Sequence, residues 1–213
     1  MNKKDILSEI KQLVEKMGAI LQAAPWENRE FYTSWLAQTT YFVQHSTRLC
    51  GLASAYCNEN QQSYHQRFLH HGIEEKGHEK LSILDLKSFG QELKNYEELP
   101  GTRSFYQTQY YWIQHKHPLA LFGYIIFLEC LAIEQGPKLT QRVTKAYGEK
   151  AARFLKVHSE EDIDHVEKAM EQIRQAPADA QEHIIQNLQQ SFYNYEALLT
   201  QCQEHALAFK QAG

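Results

Sequence analysis

Residues 154–167 read FLKVHSEEDIDHVE. On an α-helix each residue turns about 100°, so positions i, i+4 and i+7 fall within roughly 60° of one another. His158, Asp162 and His165 therefore share one stripe, while Glu161 and Asp164 point elsewhere. Phe154, Leu155, Val157 and Val166 flank the stripe, so it faces or borders the interior. A solvated face needs no histidine and a core face excludes aspartate. Two imidazoles and a carboxylate within two turns suit a divalent transition metal such as iron, manganese or zinc. The competing reading is a buried His–Asp hydrogen-bonded pair beside a surface histidine.

Helical periodicity extends outward from this stretch to nearly the whole chain. Ten glycines and five prolines punctuate 213 residues, and no alternating Val/Ile/Thr run suggests a strand. The pattern predicts helices over about 3–23, 28–57, 60–89, 103–115, 119–135, 150–175 and 178–210, with 91–102 as loop. The helix over 119–135 is expected to stop before Gly136-Pro137. With no repeat and no linker of low complexity, residues 1–213 read as one all-α domain, a bundle of seven to eight helices.

Composition excludes several classes. A net charge of −4 gives nucleic acid no electrostatic foothold. MNKKDILSEIKQLVEKMG reads as an amphipathic helix and not as a signal peptide. No stretch reaches roughly 18 uninterrupted apolar residues, so no membrane partner is expected. Cys50, Cys57, Cys130 and Cys202 form no CxxC pair, which fits reduced thiols and a cytoplasmic setting.

Two further stretches carry chemistry. In HHGIEEKGHEKLSILDL (70–86), Glu75 and His78 form Glu-x-x-His, the i, i+3 pair of helix-bundle dimetal sites, with Glu74 as rival to Glu75. The bland reading is a solvated acidic face. His71 and Asp85 lie seven residues either side of His78, roughly 10 Å along a continuous helix, too far to share its metal directly, which leaves them supporting or channel roles. Gly72 and Gly77 weaken a helix by roughly 1 kcal/mol each relative to alanine, and close approach by another helix or a ligand would explain them. In LFGYIIFLECLAIEQGP (121–137), Glu129 sits in an almost wholly apolar helix, with Glu134, near solvent at the helix end, as its rival. A carboxylate there needs a metal or a buried cation. Glu75, His78, Glu129, His158, Asp162 and His165 together form a ligand set for two metals, with Glu129 as bridge. Tyr41, Phe42, Tyr124 and Phe127 are candidates to shape a substrate pocket, against a plain core role. Arg48 is a candidate anchor for a substrate carboxylate, against an ordinary salt bridge.

With these residues in place, the chain resembles the haem-oxygenase-like diiron oxidases, the iron-containing redox enzymes. The likeness runs through WLAQTTYFVQHSTRLCGLASA (35–55), HGIEEKGHEKLSILDLKSFG (71–90), GYIIFLECLAIEQGP (123–137) and FLKVHSEEDIDHVE (154–167). The family pattern of Glu and His, then Glu, then His-x-x-x-Asp-x-x-His falls on the six residues above. The resemblance implies a haem-oxygenase-like bundle without haem. It implies two Fe(II) ions, with manganese also suited to the ligands, that activate O₂ to oxidise a small organic acid or amine. A labile second ion at Asp162, a homodimer and a carrier protein presenting the substrate are compatible with it. Haem oxygenase itself fits poorly, because the first histidine is His45. A thiaminase-like hydrolase would need an activated cysteine, with Cys130 as one candidate. A ferritin-like protein would need Glu27 or Glu30 as a first-helix ligand. A non-enzymatic helical scaffold is the last alternative.

Overall fold

A computed structural model describes residues 6–212, excepting the side chains of 161–165, 168 and 209–212. The described residues form α1 (Ile6–Ala23), α2 (Arg29–Val43), α3 (Ser46–Tyr56), α4 (Gln62–Glu74), α5 (Glu79–Ser88), α6 (Pro100–His115), α7 (Leu121–Tyr147), α8 (Arg153–Gln175) and α9 (Ala178–Ala212). No strand occurs among them. Two helices more than the seven continuous patterns arise because 28–57 and 60–89 each divide once.

The first division, at Gln44–His45, carries no glycine or proline. His45 N–H turns back to the Phe42 carbonyl at 3.0 Å, and α3 starts afresh at Ser46. The second has a clear cause. Gly77 takes φ +95, a left-handed conformation that side chains resist, and the helix breaks there.

The expected stop before Gly136-Pro137 is corrected: α7 runs through both to Tyr147. Pro137 removes one helical hydrogen bond. The glycine before it lets α8 press in, since a Cβ on Gly136 would lie 2.8 Å from Ser159 Cβ. Beyond the proline, Leu139 and Val143 are buried, so the apolar face continues and the helix with it. The segment Pro118–Tyr147 is long and apolar enough by composition to cross a membrane, but 72% of its apolar window is buried inside the bundle. It is the core helix against which α1, α8 and α9 pack.

α2 is buried along almost its whole length. Asn28 caps it, its side chain accepting from Phe31 N at 3.1 Å. Within it, Gln38 accepts from Leu99 N (2.9 Å) and Thr102 Oγ1 (2.7 Å) and donates to the Glu97 carbonyl (2.9 Å). This side chain starts α6 at Pro100, three residues before the expected position, with proline at the favoured first helical position.

One contact between distant elements sets the position of α8. Asp85, fully buried on α5, accepts from the backbone N–H of Phe154 at 2.9 Å and of Arg153 at 3.2 Å. It also meets the Arg153 guanidinium at 3.3 Å. The carboxylate thus does for α8 what a local cap does elsewhere. Asp85→Ala leaves those N–H groups buried without an acceptor and should lower unfolding free energy by about 1–3 kcal/mol in urea titrations. Burial pushes the Asp85 carboxyl up to about 6 from 3.8, against the opposing bonds from Phe154 and Arg153. Its folded-state pKa is raised, so its favourable contribution is full below pH 3.8 and is lost as pH rises through about 6. The stability margin of wild type over Asp85→Asn should therefore shrink across that window. At the α7–α9 crossing, a Cβ on Gly123 would fall on the Ile184 carbonyl and 2.6 Å from Leu188 N. Gly123→Ala should cost about 1–3 kcal/mol, read from the shift in denaturation midpoint.

Candidate metal centre

Glu75 and His78 do not sit on one helix. They occupy the turn between α4 and α5, where Glu75 N bonds to the His71 carbonyl at 2.9 Å and His78 N to the Glu75 carbonyl at 3.3 Å. Gly77 permits this bend, which still brings His78 Nδ1 to 3.6 Å from Glu75 Oε1. From α8, His158 faces the same point. Its ring lies 4.8 Å from the His78 ring, nearly perpendicular, and 4.1 Å from Phe154. Its Nδ1 is 2.9 Å from the Phe154 carbonyl. With Nδ1–H donating there, the lone pair is carried by Nε2, the arrangement typical of a metal-ligating histidine.

One donor atom from each of Glu75, His78 and His158 lies within 4.8 Å of the others. Donors around a bound ion, each about 2.0–2.2 Å from it, stand roughly 3–3.5 Å apart. The donor set of one carboxylate and two imidazoles, half-buried, fits a divalent transition metal.

Glu129 projects from the middle of α7 and is 6% exposed. His71 Nε2 lies 3.6 Å from its Oε1. Glu75, His158, Glu129 and His71 border a common cavity of about 110 Å³. His71 stands on α4, one turn before Glu75, at the wall of this cavity and beside Glu129. Asp85, its counterpart seven residues beyond His78, caps α8 instead.

The rivalry between Glu74 and Glu75 has a geometric outcome. Glu74 accepts from Arg67 at 3.0 Å and lies 3.0 Å from His70 and 3.3 Å from His71. Glu75 is the one turned toward His78 and His158. Asp162 and His165, the rest of the expected stripe, lie outside the described residues. Glu27 is engaged elsewhere: Arg142 grips both its oxygens at 2.7 Å and holds its carboxyl below the usual range.

Of the candidate substrate residues, Phe42 and Tyr124 line the cavity. Phe127 is fully buried and packs on Phe192 and Tyr195. Tyr41 donates to the Tyr96 carbonyl at 2.7 Å, and Arg48 is exposed on α3. Neither they nor Phe127 are among the described lining residues. Trp26, Trp35 and Tyr195 are, and nothing in their sequence spacing separates them from ordinary core aromatics. Burial pushes every thiol upward: Cys57 to about 11, Cys130 and Cys202 to about 12. Cys50, at the cavity wall, rises further under the carboxylates of Glu75 and Glu129.

Comparisons with known proteins bear on the same residues. No curated protein matches the sequence significantly. Among solved structures, a domain of unknown function with a heme oxygenase-like fold from Shewanella denitrificans OS217 superposes with a TM-score of 0.86. Its identity is 18%, over 100% of this chain and 97% of the other. A TenA homolog from Pseudomonas syringae pv. tomato DC3000 gives a TM-score of 0.76 at 10% identity, over 93% and 91%. At such identities these matches establish the fold, an all-α heme oxygenase-like bundle. Residues 33–196, which include all the candidate ligands, match the iron-containing redox enzymes, and the chain belongs to that family.

Proposed function

We propose that this protein is a non-haem diiron oxidase that uses O₂ to oxidise a small organic acid or amine. The observation that carries the reading is the convergence of Glu75, His78 and His158, from two separate parts of the chain, beside the buried Glu129. Iron bound there would supply the electrons that activate O₂.

The protein's own groups would do the rest. Phe154 holds His158 in one tautomer through its carbonyl. Arg67, His70 and His71 engage Glu74, while Glu75 turns toward His78 and would ligate the metal with it. Glu129, set in an apolar helix, would bridge, while Asp162 and His165 would complete the second half of the ligand set. The wall of Trp, Leu and Phe side chains keeps bulk water from the reacting centre.

A thiaminase-like hydrolase on the same fold is less well supported. It needs a thiolate, and burial holds all four cysteines protonated at neutral pH.

Anaerobic reconstitution with Fe(II) tests the proposal through metal content and the optical response to O₂. Wild type should take up near two irons per chain. His158→Ala and Glu75→Ala should weaken metal binding by at least the roughly 10–100-fold that loss of an outer-shell partner costs, with unchanged far-UV circular dichroism. If wild type binds neither iron nor manganese even with candidate acids and amines present, the oxidase reading is wrong. Cys50→Ala and Cys130→Ala should leave oxygen consumption intact. Absence of oxygen consumption in iron-loaded wild type would favour the thiol hydrolase instead, since hydrolysis consumes no O₂.

A further inference from the structure

The cavity has a polarity pattern that the metal ligands do not explain. Along α7 its lining runs from Leu121 to Leu139, roughly 27 Å of helix, so the space is elongated. Its volume of about 110 Å³ compares with the roughly 10–15 Å³ that one water needs on the same measure. No lysine or arginine is among the described lining residues. Toward the Leu139 end the wall is Leu21, Trp26, Leu139 and Leu155, with no charged group among these.

At the opposite end stands Tyr124, five residues and about 7.5 Å of helix before Glu129. Its side chain is 3% exposed, and its hydroxyl has no hydrogen-bond partner among the described residues. Tyr195, also on the wall, differs: its hydroxyl accepts from Trp35 Nε1 at 3.2 Å. A buried hydroxyl without a partner costs about 1–3 kcal/mol, a cost a plain core position would avoid by using phenylalanine. Burial and the nearby Glu75 carboxylate hold the phenol protonated, so it can act as a donor.

We propose that Tyr124 is a specificity-determining hydrogen-bond donor for an extended, apolar substrate bearing one oxygen acceptor, whose hydrocarbon part passes the metal centre toward Leu139. This rests on the oxidase reading only for naming the ligand a substrate. It excludes free amino acids, whose carboxylate would face Glu75 and Glu129 with no lysine or arginine among the described lining residues to offset it.

The test needs no metal. Trp26 and Trp35 line the cavity, so ligand entry is read from tryptophan fluorescence of the metal-free full chain. The probes are medium-chain methyl ketones, alkanes of equal length, and norleucine. Wild type should bind the ketone about fivefold more tightly than the alkane, the worth of one net hydrogen bond, and should not bind norleucine. Tyr124→Phe should erase the ketone's advantage, keep alkane affinity, and melt at the same or a higher temperature. Leu139→Trp should weaken ketone and alkane alike. Equal binding of ketone and alkane by wild type, a ketone preference that survives in Tyr124→Phe, or norleucine binding that matches the ketone would each overturn the proposal. Iron content measured on the same preparations separates the two readings: probe binding as described without metal loading leaves the subsite standing and removes the oxidase.

Discussion

The centre depends on one carboxylate that never touches it. Asp85 accepts the first backbone N–H groups of α8 and thereby fixes where that helix begins. His158 follows five residues after Arg153, so its height and heading are set by the cap. Because Asp85 belongs to α5, the helix that follows the Glu75–His78 turn, one contact registers both halves of the ligand cluster against each other. A local cap at the start of α8 would secure the helix without securing that register. The buried aspartate does both, at the cost of desolvating a charge.

The turn at Gly77 shows what the sequence could and could not disclose. Glu-x-x-His was legible as a spacing, and the helical pattern on either side of it was correct. The bend was not legible, because glycine in a charged helical stretch signals close approach as readily as a left-handed turn. Taken as straight, the segment sends His71 about 10 Å from His78. Bent, it turns His78 toward His158, while His71 on α4 stands at the cavity wall beside Glu129. Gly136-Pro137 erred in the opposite sense. Its strong stop signal was overridden by burial, since α8 fills the space of the missing Cβ and the apolar face resumes at Leu139.

Chemistry was more legible than architecture where residue type conflicted with position. His158 on a stripe flanked by apolar residues, and Glu129 in a run of Ile, Leu and Phe, stood out because burying such groups is costly, and both border the cavity. The cavity's aromatic wall gave no such conflict, since Trp26 and Trp35 satisfy the ordinary demands of a core. The same holds for Asp85, which resembles any charged helix residue until α8 is placed on it. Sequence marks the anomalous residues and is silent about neighbours that are conventional in type and specific only in place.

The electrostatics of the cavity draw these parts together. Glu75 and Glu129 both act on the Cys50 thiol in the same direction, with Arg67 as the opposing charge. Glu75 also acts on the Tyr124 phenol. The floor of the cavity is therefore a region of negative potential enclosed by apolar walls, where screening is weak and like charges repel strongly. Arg67 is spent on Glu74 at 3.0 Å. A divalent cation held by Glu75, His78 and His158 would offset that potential at its source, whereas a thiolate at Cys50 or a phenolate at Tyr124 would add to it. Burial first, and this field after it, keep thiol and phenol protonated, so neither competes with the carboxylates and imidazoles for an ion.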